Sequence, residues 1–85
     1  MKIRLTETFK KDYRRLPKEV RTKADKQLRF LMENPKHPSL KIHRIEGAHG
    51  FWEFYVDRSY RGVYTQEGDV LVLRYIGPHD IIEKV

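Results

Sequence analysis

The sequence predicts one α+β domain over residues 1–85, with a short N-terminal strand and a helical hairpin packed on a small antiparallel sheet. Three observations carry that expectation. Apolar residues recur at helical spacing from Phe9 to Leu31, broken once at Pro17. Three strand-like runs follow one another between Phe51 and Ile76, separated only by turn residues. No helical pattern lies between those runs, so they read as hairpin neighbours rather than as parallel strands joined by crossovers.

Each element has a local cause. Ile3 and Leu5 share one face of a short alternating segment, which is expected as an edge strand. Thr6 is placed to cap a helix bearing Phe9, Tyr13 and Leu16. Pro17 suits the first position of a second helix, where its missing N–H costs nothing. Val20, Ala24, Leu28 and Leu31 then form an apolar stripe, with Lys18, Arg21, Lys23, Lys26 and Arg29 mostly on other faces. Asn34-Pro35 ends that helix, because the residue before proline is pushed out of the helical region. Pro38 keeps the next segment irregular, and Leu40, Ile42 and Ile45 are available to anchor it. Gly47 and Gly50 bracket a turn around His49. From Phe51 to Asp57, alternation puts Trp52, Phe54 and Val56 on one face and Glu53, Tyr55 and Asp57 on the other. Arg58-Ser59 and Glu67-Gly68-Asp69 are turn signals flanking a second strand, Tyr60 to Gln66. Val70 to Ile76 is nearly continuous in apolar residues and is expected to be buried on both faces or nearly so, until Gly77-Pro78 stops it.

Charge is uneven. The net charge is +6, with 11 Lys/Arg against 5 Asp/Glu in residues 1–34, 3 against 1 in 35–50, and 4 against 6 in 51–85. A basic first half joined to a mildly acidic sheet suits a polyanionic partner, although such residues also simply solvate exposed helices. There is no cysteine, hence no disulfide or thiolate metal site, which fits the cytoplasm. No His-Glu-x-x-His or His/Cys spacing supports a metal, no apolar run approaches a membrane span, and the N-terminus lacks a signal-peptide pattern.

Two residues stand out chemically. Arg61 is a permanent cation whose fork fits two phosphate oxygens and can stabilise a pentacoordinate phosphorane. Its ordinary alternative is an ion pair across the hairpin with Glu53 or Asp57. His79, just after Gly77-Pro78, titrates near neutrality and is suited to proton transfer. His49, or failing that His43, is expected to face it across a cleft as the other half of an acid–base pair. Glu53 is an alternative general base. Tyr55 and Tyr64 are candidate substrate contacts; a tyrosine such as Tyr60, Tyr64 or Tyr75, if exposed on the sheet, can stack an unpaired base, although tyrosine is more often a half-buried strand residue. Arg58, Arg74, Lys41 and Arg44 are the candidate backbone contacts.

The element order, together with Gly50-Phe51-Trp52, Tyr60-Arg61-Gly62-Val63-Tyr64, Arg74-Tyr75-Ile76-Gly77 and Pro78-His79-Asp80, resembles the RelE/ParE superfamily of type II toxins. The Gly-x-His ending is similar to the YafQ-like branch. The resemblance covers the whole chain. It implies a metal-independent endoribonuclease without cofactor that enters the ribosome, cuts mRNA and inhibits translation, and that is neutralised by a cognate antitoxin protein. It also implies that Arg61 contacts the scissile phosphate and that His79 serves catalysis. RelE itself has lysines where this chain has Glu53 and Tyr55, and a C-terminal tyrosine common in the family is replaced by Ile82-Glu83-Lys84-Val85. The ParE branch, which shares the fold but targets gyrase, and an inactive RNA-binding domain are the alternatives.

Overall fold

The computed structural model describes residues 1–85. The elements are β1 (Lys2–Leu5), α1 (Glu7–Arg14), α2 (Lys18–Glu33), a 3-10 turn (Pro38–Leu40), β2 (His43–Arg44), β3 (Trp52–Tyr55), β4 (Tyr60–Glu67), β5 (Val70–Pro78) and a terminal 3-10 segment (His79–Lys84). The α+β order is as expected, but the sheet is mixed and five-stranded, ordered β1-β5-β4-β3-β2. β1 pairs with β5 in parallel, and the other neighbours are antiparallel. The parallel pair is possible because the two helices supply the long crossover that such pairing requires.

Local chemistry sets the boundaries. The Thr6 hydroxyl accepts the Phe9 N–H at 3.1 Å and donates to the Leu73 carbonyl at 2.8 Å, so one side chain caps α1 and ties it to β5. Pro17 stands one position earlier than expected: it is the N-cap of α2, in extended backbone, and its carbonyl accepts from Val20 and Arg21. Asn34 closes α2 by donating its N–H to the Phe30 carbonyl. The chain turns back at Gly68, whose φ of +63° permits the tight β4–β5 hairpin.

One core lies between the helices and one face of the sheet. Phe9, Leu16, Val20, Ala24 and Leu31 meet Phe54, Tyr64, Leu71, Leu73 and Ile76 there. Phe54 crosses the sheet over Gly62, its partner on β4. A bulge in β5 at Arg74 shifts the register, since Val63 pairs with Tyr75 but Tyr64 pairs with Leu73. Asp12, buried on α1, accepts the Ile76 N–H at 3.2 Å just beyond the bulge. No helix is long and apolar enough to cross a membrane.

Candidate functional site

α1 and α2 cover the face that bears Phe54, Gly62 and Ile76; neither covers the opposite face, which meets Ile81 of the terminal 3-10 segment at Gly77. Directly paired residues share a face, as do residues two apart on one strand. Tyr55 pairs with Arg61, and Arg61 with Gly77. Glu53 pairs with His43 on one side and with Val63 on the other, and Val63 pairs with Tyr75. Continuing the β2–β3 register by two residues brings Lys41 opposite Tyr55. The open face therefore carries two adjacent ranks across the sheet. One is Lys41, Tyr55, Arg61 and Gly77. The other is His43, Glu53, Val63 and Tyr75.

The first rank is cationic around a phenol. The Lys41 ammonium lies 4.6 Å from the Tyr55 ring centroid and the Arg61 guanidinium 4.7 Å from it. β3 lies between β2 and β4, so the two cations approach the ring from its two sides. Each contact is worth about 0.5–2 kcal/mol, depending on desolvation. Lys41 sits in left-handed backbone, φ 45°, a conformation uncommon outside glycine and asparagine. Its carbonyl accepts from Nδ1 of His43 at 2.9 Å. Arg61 donates through Nη1 to the carbonyls of Asp57 and Tyr60, which fixes the guanidinium at the β3–β4 turn. The cross-hairpin ion pair does not form, because the Asp57 carboxylate instead accepts from the Ser59 and Tyr60 N–H groups and meets Lys23 at 3.4 Å.

The second rank holds an imidazole–carboxylate pair. Glu53 is only 6% exposed, and its Oε1 lies 2.5 Å from Nε2 of His43. The Lys41 carbonyl can only accept, so Nδ1 of His43 is the protonated nitrogen on that side. On the other side Nε2 faces the Glu53 carboxylate, and the contact is an ion pair when the imidazole carries a proton there too. Val63, fully buried, is the β4 neighbour of Glu53 in this rank.

The other expected residues fall elsewhere. His79 is exposed at the end of β5, and its N–H donates to the Ser59 carbonyl at 2.8 Å. It follows Gly77, the partner of Arg61, by two residues, so its backbone lies about 8 Å from that of Arg61 at ordinary sheet spacings. The expected pairing of His79 with a loop histidine is not made. His43 is three strands away and level with Tyr75, a separation on the order of 20 Å. His49 is exposed in the loop between β2 and β3, outside both ranks. Arg44 lies on the opposite face of β2 from His43, with its guanidinium 5.6 Å from the Trp52 ring. Arg58 is exposed in the turn that also carries Ser59. Arg74, displaced by the bulge, donates to Thr65 Oγ1 at 3.0 Å and pairs with Glu67 at 3.4 Å, while Glu67 also meets Arg4 at 3.6 Å. No cluster of three His, Cys, Asp or Glu side chains suited to a metal ion is present.

Tyr64 is not a stacking platform. It is buried on the helix side, 6.3 Å from the Phe54 ring, and burial raises its hydroxyl pKa above 10.0. A raised folded-state value means the unfolded chain ionises first. The stabilising contribution is complete below about pH 10 and is lost as pH climbs through the raised value. Tyr13 adds a contribution of the same sign, because its hydroxyl donates to Asp25 at 2.6 Å. Tyr64→Phe is therefore expected to show a shallower loss of stability than wild type between pH 9 and pH 12 (about the tyrosine titration range), measured by urea unfolding at each pH.

The comparisons with known proteins fit this geometry. The family model of the ParE toxin of type II toxin-antitoxin systems, parDE, matches residues 3–81. No curated protein matches the sequence. Among solved structures, YafQ from E. coli strain BL21(DE3) superposes with a TM-score of 0.76 at 20% identity, covering 91% of each chain. The YoeB/ParE toxin from Agrobacterium tumefaciens gives 0.74 at 22% identity, covering 93% of this chain and 99% of its own. The toxin–antitoxin complex of RelB and RelE from Methanococcus jannaschii gives 0.74 at 21% identity, covering 94% of each chain. At these identities the structures establish the shared fold. With a family match over nearly its whole length, the chain belongs to the ParE toxin family of type II toxin–antitoxin systems, within the RelE/ParE superfamily.

Proposed function

We propose that this toxin is a metal-independent endoribonuclease that cuts mRNA on the ribosome and is held inactive by its cognate antitoxin. The observation that carries the proposal is the pairing of the two ranks: two cations, Arg61 and Lys41, flanking Tyr55 beside a buried carboxylate in contact with an imidazole. In the proposed reaction the Glu53–His43 pair accepts the proton of a ribose 2′-hydroxyl. The 2′-oxygen attacks the adjacent phosphorus, and the bond to the 5′-oxygen breaks. That leaving oxygen takes its proton from water, and His79, about 8 Å along the sheet from Arg61, contacts the phosphate backbone. The products are a 2′,3′-cyclic phosphate and a free 5′-hydroxyl. Arg61 stabilises the charge that builds on the phosphorane, and Lys41 holds the neighbouring backbone. Glu53 and Tyr55 replace the lysines expected from RelE, so the base here is a carboxylate–imidazole pair. The remaining lysines and arginines favour a polyanionic surface such as ribosomal RNA, through counterion release.

The test is induced expression followed by primer extension on several transcripts, with wild type, Glu53→Gln and His79→Ala. Wild type is expected to give discrete cuts within translated regions, Glu53→Gln at least about a tenfold loss, as for removal of a general base, and His79→Ala a smaller loss, as for removal of one backbone contact. The family match to ParE favours a second reading, a gyrase-directed toxin without nuclease activity. Growth arrest with DNA damage and intact transcripts would select that reading and overturn the first.

A further inference from the structure

Gln27 is the one polar interruption of the stripe that α2 buries, standing between Ala24 and Leu31 at 4% exposure. Its amide faces two segments at once. Nε2 donates to the Tyr55 carbonyl at 2.7 Å and to the Ser39 carbonyl at 3.2 Å. Oε1 accepts from the Ser39 hydroxyl at 3.4 Å. The Ser39 hydroxyl also meets Nδ1 of His37 at 2.8 Å, and the His37 ring stacks on Phe30 of α2 with centroids 3.8 Å apart. Leu40, fully buried, pins the next position. Lys41 follows at once, in left-handed backbone, with its ammonium over Tyr55. One buried amide thus joins the strand that carries the phenol to the loop that carries one of its two cations.

We propose that Gln27 is a positioning residue that holds the 37–41 loop against β3 and so sets Lys41 on the Tyr55 ring. A buried amide that found only apolar neighbours would be costly, and here each of its groups has a partner from a site-bearing segment. Gln27 touches no substrate. Its consequence for catalysis rests on the nuclease proposal, whereas its effect on Lys41 does not.

Two measurements separate those claims. In the folded wild type, the Lys41 ε-methylene protons are expected to be shifted upfield by the Tyr55 ring current, as read by NMR. Gln27→Met, which keeps the volume and removes the amide, is expected to return them toward the value of a free lysine. Ser39→Ala, a milder change in the loop, is expected to do so in part, and serves alone if Gln27→Met does not fold. Lys41 resonances unchanged in the folded variant would overturn the proposal. The second measurement is a cleavage cycle with Gln27→Met, Lys41→Ala and the double variant. Each single change is expected to lower kcat/KM roughly tenfold, and the double variant to fall no further than Lys41→Ala alone. Losses that multiply would also overturn it. If wild type cuts no RNA, the nuclease proposal fails and the Lys41 resonances alone decide the role of Gln27.

Discussion

Arg61→Ala is expected to lower mRNA cleavage about 10²–10³-fold, the usual cost of deleting one preorganised donor to a developing oxyanion. The guanidinium is held by two backbone carbonyls of the β3–β4 turn and lies against Tyr55, so it does not have to be ordered when RNA arrives. That preorganisation is also why Arg61→Lys is expected to recover only part of the activity. A lysine keeps the charge but cannot bond the turn carbonyls and present a fork to phosphate at the same time. The same two bonds predict a small structural cost of about 1 kcal/mol for the alanine variant, well short of unfolding. A cooperative melt close to wild type, together with lost cleavage, would place the effect in the chemistry. Cleavage within about threefold of wild type would remove Arg61 from the site, since a lost oxyanion donor costs far more.

The adjacent residue predicts the opposite separation. Gly62→Ala is expected to cost about 3 kcal/mol or more, at the upper end of overpacking penalties. A methyl group there would stand 2.1 Å from the Phe54 ring, with two further ring atoms within 2.8 Å. Phe54 is fully buried between the sheet and the helices and has nowhere to turn. A chain of this length has roughly 4–13 kcal/mol in total, so the loss is a large share of it. The melting temperature is expected to fall by at least roughly 12 °C. Phe54→Leu should relieve part of the clash. The double variant is expected to be more stable than the sum of the two single losses by about 1–3 kcal/mol, a coupling measurable by chemical denaturation. Additive losses would mean that the ring and the glycine do not meet.

Much of this architecture was legible because it rests on local signals. Thr6, Asn34-Pro35 and Gly68 act through their own backbone geometry, and they stand at the element ends where that geometry puts them. The stripe of Val20, Ala24 and Leu31 and the alternation of Phe54 and Val56 reflect burial on one face, which periodicity reports. The site was less legible because it depends on register. Lys41, Tyr55 and Arg61 belong to three different segments and become neighbours only when β2, β3 and β4 align. β2 has two residues, too few for any period to show, so His43 read as a loop residue and was ranked behind His49. The single extra residue at Arg74 gives a β5 residue no direct partner on β4, which alternation cannot anticipate. Tyr64 and Tyr55 are the same residue type on neighbouring strands, yet one is core and the other stands between two cations. Gln27 carried a signal that was available: a polar residue aligned with the apolar stripe of an amphipathic helix needs a buried partner.

The open face of the sheet is tested most directly with purified toxin, ribosomes programmed with an end-labelled mRNA, and analysis of the fragment ends. Wild type is expected to produce fragments ending in a 2′,3′-cyclic phosphate, with yield falling steeply as salt rises, and Arg61→Ala and Glu53→Gln to leave the mRNA largely intact. Uncut mRNA from a preparation that still arrests growth when expressed would contradict the assignment of this face as an RNA-cleaving site.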